Sequence, residues 1–124
     1  MTPPVSSPQA YRENTVLSAT PEQLVVMLYD GAQRFLRRAG AEMRAGEIEA
    51  THNDLRRAEA ILAHLNTVLD HEHDPQLAGQ LSAIYRFCLE HLNRARFQQT
   101  TEELDEVVAM LGELRESWAE LARR

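Results

Sequence analysis

Apolar residues recur every three or four positions along this 124-residue chain from Leu24 to Leu121, the spacing that gathers them on one face of an α-helix. The first run opens at Thr20-Pro21-Glu22-Gln23, where a hydroxyl N-cap, a proline at N1 and a glutamine at N3 make a capping box. Leu24, Leu28, Gly31 and Phe35 form one of its rows, and Val25, Tyr29, Ala32, Leu36, Ala39 and Met43 a second, before Ala45-Gly46 ends it. A second helix is expected from about Glu47 to Asp70 on the stripe Leu55, Ala58, Leu62, Leu65, Leu69, widened by Ile61 and Val68. Asp74-Pro75 caps a third, carrying Leu77, Leu81, Ile84, Cys88, Leu92 and Ala95, with Tyr85 and Leu89 beside them. Thr100 or Thr101 caps a fourth, the former pairing with Glu103 as a capping box, on the stripe Leu104, Val107, Leu111, Leu114, Trp118, Leu121.

Helices of roughly 21 to 25 residues, joined by about two to six, must run antiparallel to their neighbours. The predicted fold is all-α: an antiparallel up-down-up-down four-helix bundle over residues 19–124 with crossings near 20°. Residues 1–18 hold Pro3, Pro4 and Pro8, then Tyr11, Val16 and Leu17 without a sustained period, and are expected to form a short mobile N-terminal arm. Alternation of period two never lasts long enough to suggest a strand.

Charge narrows the partners. Thirteen basic residues, all arginine, face nineteen acidic ones for a net charge of −6, a surface that repels phosphate backbones, so no nucleic-acid partner is expected. No apolar run approaches the ~18 residues that span a bilayer, which argues against membrane insertion and for a cytoplasmic location. Cys88, the single cysteine, lies on an apolar stripe and reads as a buried, unreactive thiol.

Catalytic constellations are missing. A di-iron bundle needs two Glu-x-x-His spacings, and Glu49-Ala50-Thr51-His52 is the only one, so no metal or other cofactor is expected. His71 and His73 with Asp74 read as a solvated turn. His64 and His91 lie mid-helix, which leaves a histidine phosphotransfer module as an alternative, although neither is followed by the lysine and glycine pattern of such modules. With no nucleophile–base arrangement or phosphate loop, the chain does not read as an enzyme. Apolar width is in excess instead: two full rows on the first helix, Tyr85, Phe87 and Leu89 beside the third stripe, Val108 and Met110 beside the fourth. A closed bundle needs only about three of seven positions per helix, so the surplus either widens the core or lines a groove for a partner helix.

The register as a whole resembles the FliS family of flagellar export chaperones. Tyr11, Thr20-Pro21-Glu22-Gln23-Leu24, Met27-Leu28-Tyr29-Asp30-Gly31-Ala32 and His52-Asn53-Asp54-Leu55-Arg56-Arg57-Ala58 carry the likeness. Leu81-Ser82-Ala83-Ile84-Tyr85, His91-Leu92-Asn93-Arg94-Ala95 and Leu104-Asp105-Glu106-Val107 through Trp118 continue it in order. Arg96 stands where the family usually has Asn, and Arg57 where it has Lys. The resemblance implies a cytoplasmic helical bundle that binds the disordered C-terminal segment of newly made flagellin, prevents premature polymerisation and aids delivery to the flagellar type III secretion apparatus. It further implies that Tyr11, Val16 and Leu17 cover part of the groove until the client binds, and that Tyr11 serves docking to an export gate protein. Val25, Tyr29, Asn53, Ile61, Tyr85 and Val108, lying beside the stripes, are the candidate groove residues. A monomer or weak homodimer is expected.

Overall fold

Four helices follow one another in the computed structural model, which describes residues 17–124: α1 Pro21–Arg44, α2 Ile48–Thr67, α3 Pro75–Gln98 and α4 Glu102–Ala122. Tyr11 and Val16 lie outside the described residues. The capping box forms as the spacing requires, with the Gln23 N–H donating to Thr20 Oγ1 at 3.2 Å and the Thr20 N–H to Gln23 Oε1 at 2.8 Å. Asp74 caps α3 by accepting the Leu77 N–H at 3.1 Å, ahead of Pro75 at N1.

Two helix ends differ from expectation. α2 stops at Thr67 rather than Asp70, because the Asp70 carboxylate accepts the backbone N–H groups of Glu72 and His73 at 3.1 and 2.9 Å and turns the chain. α4 starts behind Thr101 with no side-chain cap. Glu103, expected to close a box on Thr100, instead accepts from Arg94 Nε at 2.8 Å.

Cross-helix pairs fix the relative direction of three neighbouring helix pairs. Ile61 of α2 lies against Gly31 and Asp54 against Arg38, so position numbers fall along α2 as they rise along α1. The same antiparallel relation holds for α1 and α4 in Asp30–Arg115 and Arg44–Asp105, and for α3 and α4 in Cys88–Met110 and Arg94–Glu103. α3 meets α2 through Arg96 and Glu59, whose charged groups bond directly. Arg96 therefore spans two helices.

α1 approaches α2 and α4 more closely than α3 does. Small residues permit this: a Cβ on Gly31 would sit 3.3 Å from Ile61 Cδ1, and Ala32 and Ala39 are fully buried. The core stacks Tyr29, Leu36, Leu55, Leu62, Tyr85, Cys88, Leu92, Leu104 and Leu111, a contiguous apolar cluster along the bundle axis. Burial pushes the Cys88 thiol up to about 11, so it is protonated at neutral pH. Leu77 and Leu121, expected on the stripes, are about half exposed.

Candidate docking surface

Leu24-Val25-Val26-Met27-Leu28 gives the first two turns of α1 an apolar side chain in every direction. One face of a helix suffices for the core, so the others must line surface. Three hollows surround this segment. A cleft of about 410 Å³ opens between the start of α1, the α2–α3 connection and α3, walled by Val25, Leu65, Val68, Leu77, Leu81 and Trp118. Along the α1–α2 groove, Leu24, Val25, Met27, Leu28, His64 and Val68 line a second, of about 550 Å³. On the α4 side a third, of about 570 Å³, is lined by Ser18, Val26, Met27, Arg115, Ala119 and Arg123 among others. Pro21, Val25 and Val68 are shared by the first two and Met27 by the last two, so the three adjoin one another around a single helix end, as a trough with Met27 standing between two of its parts.

The trough is built by the helix ends themselves. α2 stops early, leaving Val68 beyond its last turn and 56% exposed, and Leu77 in the first turn of α3 is 45% exposed. Both are large apolar side chains that a continued helix pair would have covered. Asp70, His73 and Asp74 also line the cleft.

The candidate residues do not all converge there. Val25 sits at the junction of the first two hollows, and Tyr85 contributes to the floor of the first. Tyr29 and Tyr85 lie on the stripes rather than beside them. Both are buried, and their hydroxyls meet at 2.5 Å across the bundle, from α1 to α3. Their phenols are pushed above the ordinary tyrosine range, chiefly by burial. Ile61 and Val108 are half-buried against the core, the Val108 carbonyl accepting from Gln33 Nε2 at 3.0 Å. Asn53 lies nearer the start of α2, in a shallow hollow with Arg56, Arg57 and Ala60. Leu17 is 83% exposed and, among the described residues, covers no hollow.

Sequence reasoning missed Leu24, Val26, Met27, Val68 and Leu77 as surface residues, treating them as stripe or leaving them out. The available signal was five consecutive apolar residues, which no two-sided packing can absorb. Trp118, expected in the core, packs against it at its edge and also walls the cleft.

Histidine chemistry finds no support in the geometry. His91 is 8% exposed, its ring edge-on to Phe87 and bracketed by Glu103 and Glu106 at 3.6 and 3.3 Å, with Arg94 donating to Nδ1. No mid-helix surface histidine is offered there for phosphate. His64 lines the apolar groove. No group of three or more His, Cys, Asp or Glu side chains suited to a metal ion occurs among the described residues. Nor is any helix among them long and apolar enough to cross a membrane.

Comparison with known proteins agrees with the surface in pointing to binding. Residues 5–124 match the family described as Flagellar protein FliS. The flagellar secretion chaperone FliS of Salmonella typhimurium is 32% identical over 111 residues, spanning 89% of this chain and 82% of that protein. Its namesake in Bacillus subtilis is 30% identical over 88% of this chain and 80% of its own length. That of Campylobacter jejuni is 31% identical over 90% and 88%.

Proposed function

The chain belongs to the FliS family, flagellar secretion chaperones rather than enzymes, and from that membership we propose that its client is the disordered C-terminal segment of flagellin. In the cytoplasm, the bundle takes up this segment as helix in its apolar trough, withholds it from premature polymerisation and passes it to the flagellar type III secretion apparatus. The observation that carries this reading is the set of adjoining apolar-walled hollows around the first two turns of α1. An apolar helix face freed from a filament finds there the contacts it would otherwise make with another flagellin. Ordering a disordered segment costs roughly 2–5 kcal/mol, which keeps net affinity moderate and release feasible.

Tyr11 and Val16 act as a temporary cover over part of this trough, and Tyr11 contacts the export gate protein. The protein works as a monomer or weak homodimer. Tyr11→Ala, and separately deletion of residues 1–15, should raise affinity for the flagellin segment several-fold. Unchanged affinity, together with unchanged proteolysis of the arm in the Tyr11→Ala protein, removes the cover.

Seeded polymerisation of purified flagellin, followed by light scattering, tests the function itself. One equivalent of the protein should suppress filament growth. The Met27→Glu, Val68→Glu double variant should need at least tenfold more to do so while keeping its helical circular dichroism. Wild-type protein without effect, or a variant as effective as wild type, contradicts the reading.

A further inference from the structure

The α1–α2 groove changes character halfway along. Its first half is the apolar hollow of Leu24, Met27, Leu28, His64 and Val68. Beyond Gly31 and Ile61 it becomes arginine-rich, with Arg34 and Arg38 on α1 and Arg56 and Arg57 on α2. The Arg34 guanidinium lies back toward Gly31, its Nη2 3.9 Å from where a Cβ there would stand, which puts it at the junction of the halves.

Two of these arginines are held in place. Arg57 Nη1 and Arg38 Nε reach the buried Asp54 carboxylate at 3.0 and 3.5 Å. Both guanidinium carbons also stand 5.8 Å from the centroid of the Phe35 ring between them. A guanidinium has five N–H donors and Asp54 engages few of them. Over half of each of these two side chains is exposed, so donors remain for another acceptor. Arg34 and Arg56 are exposed and have no acidic partner among the described residues. Arg38 and Arg57 share the Asp54 carboxylate, to which the Glu42 carboxyl is hydrogen-bonded, and with Arg34 and Arg56 beside them the patch is positive on a chain of net charge −6.

We propose that this groove takes a partner helix that is apolar over one half and carries carboxylates over the other, the acidic half lying on Arg34, Arg38, Arg56 and Arg57. The apolar half rests on the reading of the trough as the client site; the charge complementarity is an independent observation about the groove's other half. From Asn53 to Val68 the groove is about 22 Å long at 1.5 Å per residue, which suits a helix of some 15 to 18 residues. Pre-positioned arginines lose little side-chain freedom when they bind, so they favour carboxylates over neutral amides and select the direction in which the helix lies.

Two synthetic 18-residue peptides test this against the full-length protein. They share an apolar stripe over one half and differ in three Glu or three Gln residues on the other; a third carries Lys there. By fluorescence anisotropy in 50 mM salt, the Glu peptide should bind roughly tenfold more tightly than the Gln peptide, and the gap should close at 500 mM. Arg34→Glu with Arg56→Glu, both exposed substitutions, should invert the order and favour Lys over Glu. Equal binding of the Glu and Gln peptides overturns the acidic half and leaves the trough standing. So does a Glu preference that survives the double substitution. Binding of no peptide overturns both readings. An arginine-dependent increase in mass with protein concentration and no Glu preference gives the patch to a second copy and also overturns the proposal.

Discussion

Gly46 and Gln99 both take left-handed backbone at a helix end, with φ of 74° and 55°. At Gly46 this closes a Schellman motif: its N–H donates to the Met43 carbonyl at 3.1 Å and that of Glu47 to Glu42 at 2.9 Å. A side chain there meets no neighbour within 4 Å, so its cost is conformational alone. Gly46→Ala should therefore lose about 1 kcal/mol in chemical denaturation. Gln99→Gly should gain roughly 0.5 kcal/mol after losing the bond from Gln99 Nε2 to the Arg96 carbonyl. The first of these ends was legible in Ala45-Gly46. The second was not, because glutamine seldom marks a left-handed cap.

Asp54 and Glu42 make a second residue-scale case. Burial raises the Asp54 carboxyl, but its bonds with Glu42 and Arg57 and the charges of Arg38 and Arg57 outweigh this and hold it below the usual range. Glu42 is raised by its hydrogen bond with Asp54, then by burial; as a carboxylate its Oε1 is buried without a partner, and as an acid it can donate. The signs are opposite. Asp54's contribution is present above its unfolded pKa and lost as pH falls through its lower folded value; Glu42's is complete below its unfolded pKa and lost as pH rises through its higher folded value. Glu42→Gln should remove that loss above about pH 4.5, making the variant more stable relative to wild type at pH 7 than at pH 4. Urea midpoints at both pH values check this, and a constant difference contradicts it. Nothing in the sequence pairs these carboxyls, since their meeting depends on how α1 and α2 align.

Among the elements, all four helices and their antiparallel order were legible from periodicity and caps, because amphipathic stripes and proline-marked starts are local signals. The choice between rows was not. On α1 the row of Tyr29, Ala32, Leu36, Ala39 and Met43 is buried, while Leu24, Leu28 and Phe35 flank it. Pattern alone ranks two apolar rows equally; small Ala32 and Ala39 let the neighbours close on one of them. Tyr29 and Tyr85 follow from that choice, joining α1 to α3 through paired hydroxyls in an apolar core. Tyr29→Phe should cost about 1–2 kcal/mol by leaving the Tyr85 hydroxyl buried without this partner. Tyr29→Phe with Tyr85→Phe should cost no more than the single change, as a double-mutant cycle in urea will measure. Additive losses would mean that the hydroxyls act independently.

On the scale of the whole molecule, charge and apolar surface are segregated. α4 carries seven carboxylates and one arginine, whereas the basic patch lies across α1 and α2 beside the trough. Surplus apolar width was legible as surplus, but its location was not. Position beside the stripes spreads the expected groove residues along the whole bundle, whereas the trough forms where helices end: around residues 24–28, at Val68 and at Leu77. A residue pattern reports faces well and ends poorly, because the unpaired surface at an end is set by loop length and by where each neighbour stops.

The central claim is that this trough orders a partner's disordered segment as helix. Calorimetric titration of the protein with a synthetic flagellin C-terminal peptide at several temperatures, with far-ultraviolet circular dichroism of the mixture, tests it most directly. The account predicts one-to-one binding, a negative heat-capacity change, a helical signal greater than the sum of the parts, and at least a tenfold loss of affinity with Leu24→Glu and Met27→Glu together. Binding with a heat-capacity change near zero, no helical gain, or undiminished affinity in that double variant would contradict it.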